Sequence, residues 1–421
     1  MYSKGEHKMK AKKIISLALS MLMVGVLATG CGSSKEEAVT KDGKQKIRFS
    51  TWDSAKDLEK QQQLVDKFNA SQDEIEVVLE SYGNDYDTKI TASMGSGDAP
   101  DVMYMWNYPV YSGKLEPIDS YIEKEGEGYK DNFYETLWPY HSKDGTTFGL
   151  PVGFVTSSLY YNKDIFDKAG LEYPTSDWTW NDVIEASEII TEKVDGVKGF
   201  GFPIKTLPYT YEMYLWSNGT AYVDKDGNFD GNLNSKEAIE VFDMFQKMNT
   251  DGIAAALEKG VTEDMLGGKV AMSVNGTWPI TNYNEAGLNY GIVEIPSFEG
   301  KHDSVSVLNT AGVAMSKDSK NKEAAWEFMK FWTGEEANRD RIGYELPSLK
   351  SVVESEKIME DETYKPFYVM LEQSKGYTPT SFIVDGWSEI DEALGLSFER
   401  IFNPSSLEKP SDVLNEVAKQ W

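Results

Sequence analysis

The sequence predicts an α/β fold divided between two lobes. Two observations carry this. Strand, helix, strand, helix and strand alternate over residues 47–105, and the alternation restarts after Pro151. Residues 47–52 read as a strand. Residues 58–68 read as a helix with Leu64, Val65 and Phe68 on one face. A second strand follows at 75–79 (IEVVL), then a helix at 86–94 closed by Gly95, Gly97 and Asp98, and a third strand at 101–105 (DVMYM). Strands joined through helices imply a parallel sheet with right-handed crossovers. Lys143-Asp144-Gly145 between extended stretches reads as a hairpin turn. Beyond Pro151, residues 159–161 read as a strand and 164–169 as a short helix. A longer helix at 180–193 carries Val183, Ala186, Ile189 and Ile190 on its apolar face. Helix 235–248, strand 269–274 and helix 321–332 complete the pattern. In the last, Ala325, Phe328, Met329 and Trp332 fall at i, i+3, i+4 and i+7.

The N-terminus is of another kind. Lys8, Lys10, Lys12 and Lys13 precede an uncharged apolar run over 14–27. Such a run is too short to span a bilayer and has the length of a signal-peptide core. Ala28, Thr29 and Gly30 then lead to Cys31, the only cysteine of the chain. This resembles a bacterial lipobox, with Ala28 where the commonest form has leucine. The resemblance implies cleavage after Gly30 and acyl chains on Cys31, holding the protein on the outer face of the cell membrane. Residues 32–45 (GSSKEEAVTKDGKQ) contain almost nothing to bury and read as a tether. The expected organisation is thus a signal peptide at 1–30, lipidated cysteine and tether at 31–45, and a folded body from Lys46.

Charge and composition exclude several functions. The formal net charge of the 421 residues is −27. Residues 1–30 carry five lysines and one glutamate, a net +4, so the remainder stands at −31. That field repels nucleic acid and anionic headgroups, so no nucleic-acid partner is expected. His141 and His302 are the only histidines after the signal region, which argues against a histidine triad and a His-rich zinc site. No G-x-S-x-G elbow, H-E-x-x-H or P-loop lysine motif is present. Asp224, Asp226 and Asn228 imitate half a calcium loop, but Phe229 replaces its glycine and Ser235 its closing glutamate. An acidic turn is the better reading, and neither metal nor cofactor is expected. With 69 acidic residues, carboxylate pairs alone point to no glycosidase.

The informative excess is aromatic: 11 Trp, 23 Tyr and 18 Phe. Trp52 ends the first strand beside Asp53, and Trp106 follows the third beside Asn107. Trp216 precedes Ser217-Asn218-Gly219, and Trp278 follows Asn275-Gly276-Thr277. Ligands in open α/β sheets lie beyond the carboxyl ends of strands. Sugars offer flat C–H faces to aromatic rings and hydroxyls to polar side chains. The candidate contacts are therefore Trp52, Asp53, Trp106, Asn107, Trp216, Asn218, Trp278 and Trp387. Trp326 and Trp332 have core spacing, and Trp178 and Trp180 begin a helix, so all four are read as packing residues.

Four segments then resemble the extracellular solute-binding proteins of bacterial ATP-binding-cassette sugar importers, the group similar to maltose-binding protein. Gly97-Asp98-Ala99-Pro100-Asp101-Val102 looks like the family's G-x-x-P-D-V. Tyr161-Asn162-Lys163, Phe166, Ala169-Gly170-Leu171 and Pro174 resemble Y-N-K-x-x-F-x-x-A-G-L-x-x-P, continued by Trp178-Thr179-Trp180. Gly268-Lys269-Val270-Ala271-Met272 and Asn275-Gly276-Thr277-Trp278 look like its G-K-x-A-M and N-G-x-W pair. Ala325-Trp326-Glu327-Phe328 resembles its A-W-x-F helix. Within these, Tyr160, Tyr161 and Phe166 read as core and Asn162 as a helix cap.

The resemblance implies a type II periplasmic-binding-protein-like fold with a hinge. The expected lobes are 46–151 with 305–345 and 152–304 with 346–421. It also implies a monomer that closes on its ligand and hands it to the permease subunits of an importer, without catalysis. Affinity is expected to be micromolar, about −8 kcal/mol. A neutral carbohydrate is the expected ligand. The alternatives are a non-sugar solute in the same fold and a surface carbohydrate-active enzyme.

Overall fold

The computed structural model describes residues 40, 43–204, 207–257, 260–301, 304–343 and 345–421. The signal-like segment, Cys31, most of the tether and His302 lie outside the described residues. Among the described residues no helix is long and apolar enough to cross a membrane.

The first lobe is built on β1 (Gln45–Thr51), β2 (Ile75–Ser81), β3 (Val102–Met105), a small hairpin of β4 (Ser142–Lys143) and β5 (Thr146–Thr147), and β6 (Gly149–Val155). The second contains β7 (Ser158–Asn162), β8 (Lys198–Pro203), β9 (Ala254–Leu257), β10 (Val270–Asn275) and β11 (Tyr290–Val293). The chain then returns to the first sheet as β12 (Asn309–Met315) and β13 (Leu346–Pro347). The sheet orders are β13-β6-β12-β3-β1-β2 and β11-β7-β10-β8-β9. The parallel pairing expected for β1, β2 and β3 is present. The returning strand β12 instead runs antiparallel between β3 and β6, so the first sheet is mixed. β6 stays in the first sheet as far as Val155, and β13 still pairs with its Phe154 and Gly153.

Local chemistry explains the elements. Helix Ala55–Ser71 buries Gln61, Leu64, Val65 and Phe68 against the first sheet. Gln72 ends it: its amide donates to the carbonyls of Phe68 and Ile75, and its Oε1 accepts from the N–H of Ile75 at 2.7 Å. One side chain thereby closes the helix and starts β2. At the β4–β5 turn Asp144 and Gly145 both have positive φ, as a two-residue hairpin of this hand requires. Asn162 caps helix Lys163–Ala169 by accepting from the N–H of Ile165, and Thr179 with Asp182 forms a capping box on helix Trp180–Lys193. Asp224 accepts from the backbone N–H of Asp226 and Asn228 and from the Asn228 amide, so its carboxylate is spent on closing its own turn.

Each lobe has its own core. In the first, Phe49, Phe328 and Trp332 meet at 4.7–5.4 Å. In the second, Trp180 packs on Phe200 and Phe245 at 5.6 and 5.2 Å. A third cluster, including Phe154, Tyr160, Leu308, Phe367 and Tyr368, backs the crossings between the sheets.

Helix backbone and sheet approach closely at Gly199. A Cβ there would lie 2.1 Å from the Cα of Ser187 in helix Trp180–Lys193. Backbone cannot yield as a flexible side-chain tip can. Gly199→Ala is therefore expected to destabilise the protein by about 1–3 kcal/mol in thermal or urea unfolding. An unchanged midpoint would show that the two elements can separate without cost.

Candidate functional site

The ends of β1 and β3 place Trp52, Trp106 and Asn107 on one wall of a cavity of about 1150 Å³ between the lobes. The turn before helix Tyr86–Ser96 adds Asn84, Tyr86 and Asp87, and the β4–β5 hairpin adds Lys143 and Asp144. Gly153, Phe154, Asn309 and Thr310 form the floor where β6 and β12 cross. The opposite wall comes from the second lobe: Leu207, Tyr209 and the unbroken run 381–388, which contains Trp387.

The rings are held, not loose. Trp52 sits edge-on to Tyr86 at 5.3 Å and tilted over Tyr104 at 4.9 Å. The Tyr86 hydroxyl donates to the Tyr104 carbonyl at 2.6 Å. Trp106 is 50 % exposed, and its indole N–H donates to Asp87 Oδ1 at 3.3 Å. Tyr209 donates its hydroxyl to the Leu308 carbonyl, which joins the second-lobe wall to the floor. Trp387 begins helix Trp387–Phe402 directly after Gly386, whose positive φ turns the chain into it.

The polar groups are mostly acceptors. Asp87, Asp144, Glu345, Asp385 and Asp391 line the cavity, against the single lysine Lys143. Burial raises the carboxyls of Glu345 and Asp391 above the ordinary range, opposed by Arg341 at the first and by the Tyr209 N–H at the second. These groups, with Asn84, Asn107 and Asn309, can accept from and donate to hydroxyls, while the rings offer flat apolar faces.

Of the eight candidates, Trp52, Trp106, Asn107 and Trp387 share the cavity wall. Asp53 lies beneath it. Its Oδ2 accepts from Thr51 Oγ1 at 2.8 Å and Gln61 Nε2 at 2.7 Å, and burial pushes its carboxyl up. Trp278 is 59 % exposed and lines a separate recess of about 270 Å³ with Asp57, Ile280 and Tyr364, which shares Glu345 with the main cavity. Two candidates lie away from both recesses. Trp216 is only 6 % exposed and packs against Tyr377 at 5.4 Å, and Asn218 is equally buried. Both close helix Pro208–Ser217, which the Ser-Asn-Gly sequence masked as a loop. The Asn218 amide donates to the Glu237 carbonyl at 2.8 Å, tying that helix to the next. Trp326 and Trp332 are core residues, as their spacing suggests, and so is Trp180 at its helix start. Tyr209, Asp87 and the run 381–386 were missed. Pro208 at a helix start was the available signal for Tyr209, and no local pattern marks the run.

Two α/β lobes joined by crossing strands around an aromatic, hydroxyl-matching cleft define a hinged solute-binding protein. The comparisons agree. The family described as bacterial extracellular solute-binding protein matches residues 53–339, and the chain belongs to it. The galactooligosaccharide-binding protein of Bacillus subtilis is 26 % identical over 415 residues, covering 92 % of each chain. The sn-glycerol-3-phosphate-binding periplasmic protein of Shigella flexneri is 25 % identical over 291 residues, covering 64 % of this chain and 66 % of that one. A substrate-binding protein of Listeria monocytogenes, solved in complex with cycloalternan, superposes with a TM-score of 0.75 at 25 % identity. That match covers 90 % of this chain and 98 % of the other.

Proposed function

We propose that the protein is the extracytoplasmic binding subunit of an ATP-binding-cassette importer, capturing a neutral oligosaccharide in the interlobe cleft and delivering it to the permease without chemical change. The observation that carries the ligand class is the pairing of an aromatic lining with an absence of bidentate cations among the lining residues. The four arginines of the chain are committed elsewhere. Arg48 pairs with Glu80 and Asp98, Arg339 with Glu335 and Glu356, and Arg400 with Glu408 and Glu416. Arg341 is buried over the ring of Trp332. A phosphate ester would meet five carboxylates and one lysine, an unfavourable field. A volume of about 1150 Å³ also exceeds the usual range for small ligands, about 300–1,000 Å³, and leaves room for several sugar rings.

In this reading Trp52, Trp106, Asn107 and Trp387 touch the sugar, joined by Tyr209 and Asp87. Asp53 supports Trp52 from below, and Trp278 serves a neighbouring subsite. The chain passes between the lobes after Val155, before Asn309 and after Pro347, and ligand contact with both walls drives closure. Acyl chains on Cys31 and the tether to Gln45 keep a monomer beside its transporter.

Titration calorimetry with maltotetraose, a galactooligosaccharide mixture and glycerol 3-phosphate tests the ligand class. At least one saccharide is expected to bind at micromolar Kd, about −8 kcal/mol, with no heat from glycerol 3-phosphate. Binding of the phosphate ester alone would overturn the carbohydrate reading. Liberation of shorter sugars on prolonged incubation would overturn the absence of catalysis.

A further inference from the structure

Most of the second-lobe wall of the cleft is one continuous segment of chain. Every residue from Ser381 to Ser388 lines the cavity, between the short 3-10 turn Thr380–Phe382 and the start of helix Trp387–Phe402. A wall made of loop has no sheet ladder to hold it. What anchors it lies outside the cavity. Glu212, on helix Pro208–Ser217, is fully buried (0 % exposed) and is not a lining residue. Its two carboxyl oxygens meet the Thr380 N–H at 2.9 and 3.1 Å, and the Thr380 hydroxyl donates to Oε1. The same residue Thr380 accepts through its carbonyl from the N–H groups of Ile383 and Val384 at 2.9 and 3.0 Å. Fixing Thr380 therefore fixes the first turn of the wall. The Tyr140 ring packs on Phe382 at 5.4 Å from the first lobe. The titratable groups facing Glu212 are Tyr140 from that lobe and Tyr209 and Tyr222 from its own.

A buried carboxyl is an expensive way to hold a loop. A hydrophobic contact would pack as well, but it would not aim the backbone. Hydrogen bonds from both the N–H and the hydroxyl of one residue specify position and direction together.

We propose that Glu212 is a positioning residue for ligand binding, holding the wall segment 381–388, and with it Trp387, through its bonds to Thr380. The inference rests on the cleft being the ligand site. It has a chemical signature. Burial pushes the Glu212 carboxyl up to about 8, with the Thr380 bonds opposing that rise. The group is thus neutral at neutral pH and acquires its charge as pH rises through about 8. A released, solvated carboxyl ionises in the ordinary range, so the clamped state loses stability relative to the released one as pH rises from about 4.5 to about 8, and loses no more above that. A glutamine has the shape and the donor–acceptor set of the neutral acid and cannot ionise.

The test uses Glu212→Gln, Glu212→Ala and Thr380→Val in the mature chain, with two readouts. Hydrogen–deuterium exchange of the 380–388 amides in the ligand-free protein reports the clamp without any ligand. Calorimetry with maltotetraose between pH 5 and 9 reports binding. Glu212→Ala and Thr380→Val are expected to raise exchange in 380–388 at least tenfold and to weaken maltotetraose about tenfold. Glu212→Gln should match the parent near pH 5 and lack its loss of affinity between about pH 5 and 8. If Glu212→Ala fails to fold, Thr380→Val removes the hydroxyl bond to Glu212 from the other partner, which is equally buried, and leaves the carboxyl in place. Unchanged exchange in Thr380→Val would overturn the clamp. Raised exchange with unchanged affinity would overturn its role in binding, as would a glutamine variant no better than alanine. If maltotetraose does not bind the parent, the saccharide reading fails at that step. Exchange then decides the clamp by itself: a rise confined to 380–388 sustains it and no rise overturns it.

Discussion

Trp387→Ala is expected to weaken saccharide binding by roughly thirtyfold or more, about 2 kcal/mol, with the ligand-free protein still folded. The ring serves two surfaces. One side is packed against the second-lobe core, and the other stands on the cavity wall. An aromatic ring already held in place loses little freedom when a sugar stacks on it, which is the property of an anchor. Trp106 is half exposed and held by one long hydrogen bond to Asp87, so Trp106→Ala should cost less. The measurement is calorimetry with the tightest saccharide found for the parent. An unchanged Kd for Trp387→Ala would remove that residue from the site.

The second large effect concerns stability. Trp332→Ala should lower the free energy of unfolding by about 4 kcal/mol or more. Loss of a fully buried tryptophan costs about 3–5 kcal/mol through lost burial and the cavity left behind. Trp332 adds a second liability. The Arg341 guanidinium stacks over its ring at 4.7 Å and donates Nη1–H to its backbone carbonyl at 2.8 Å. Removing the ring leaves a buried cation beside a void, its remaining ion pair with Glu345 stretched to 3.6 Å. Since whole domains are stable by only about 5–15 kcal/mol, the first lobe should unfold separately or well below the parent's midpoint. Urea unfolding followed by tryptophan fluorescence and circular dichroism measures it. A loss under about 1 kcal/mol would mean that Phe49 and Phe328 close over the gap.

How much of this was legible depends on the range of the information. Helix faces were readable because 3.6-residue spacing puts Leu64, Val65 and Phe68, or Phe328, Met329 and Trp332, on one side whatever lies opposite. The Asn162 cap and the Asp144-Gly145 turn were readable because their hydrogen bonds and dihedral angles are met within four residues. Three of the cavity-lining candidates were legible for a related reason. Trp52, Trp106 and Asn107 follow strand ends, and strand ends in an open sheet face the ligand side. Trp216 and Asn218, chosen by the same style of argument, are buried away from that wall. Ser-Asn-Gly does end a helix there, yet the residues before it are packed on three sides by elements distant in sequence.

By itself the sequence determined the α/β class, the periodic helix faces, the capping chemistry and the family resemblance. It also set the acidic, aromatic character that suits an uncharged, hydroxyl-rich ligand. The tertiary structure alone decided which aromatics share a wall. It drew 381–388 across the cleft from Trp52 and Trp106, moved Trp278 into a neighbouring recess and buried Trp216. The reason is physical. Periodicity and caps are satisfied by neighbours in the chain, whereas a wall exists only where distant backbones are held at a fixed separation. Here one wall is tied to its own lobe by contacts such as Glu212 with Thr380, 168 residues apart in the chain.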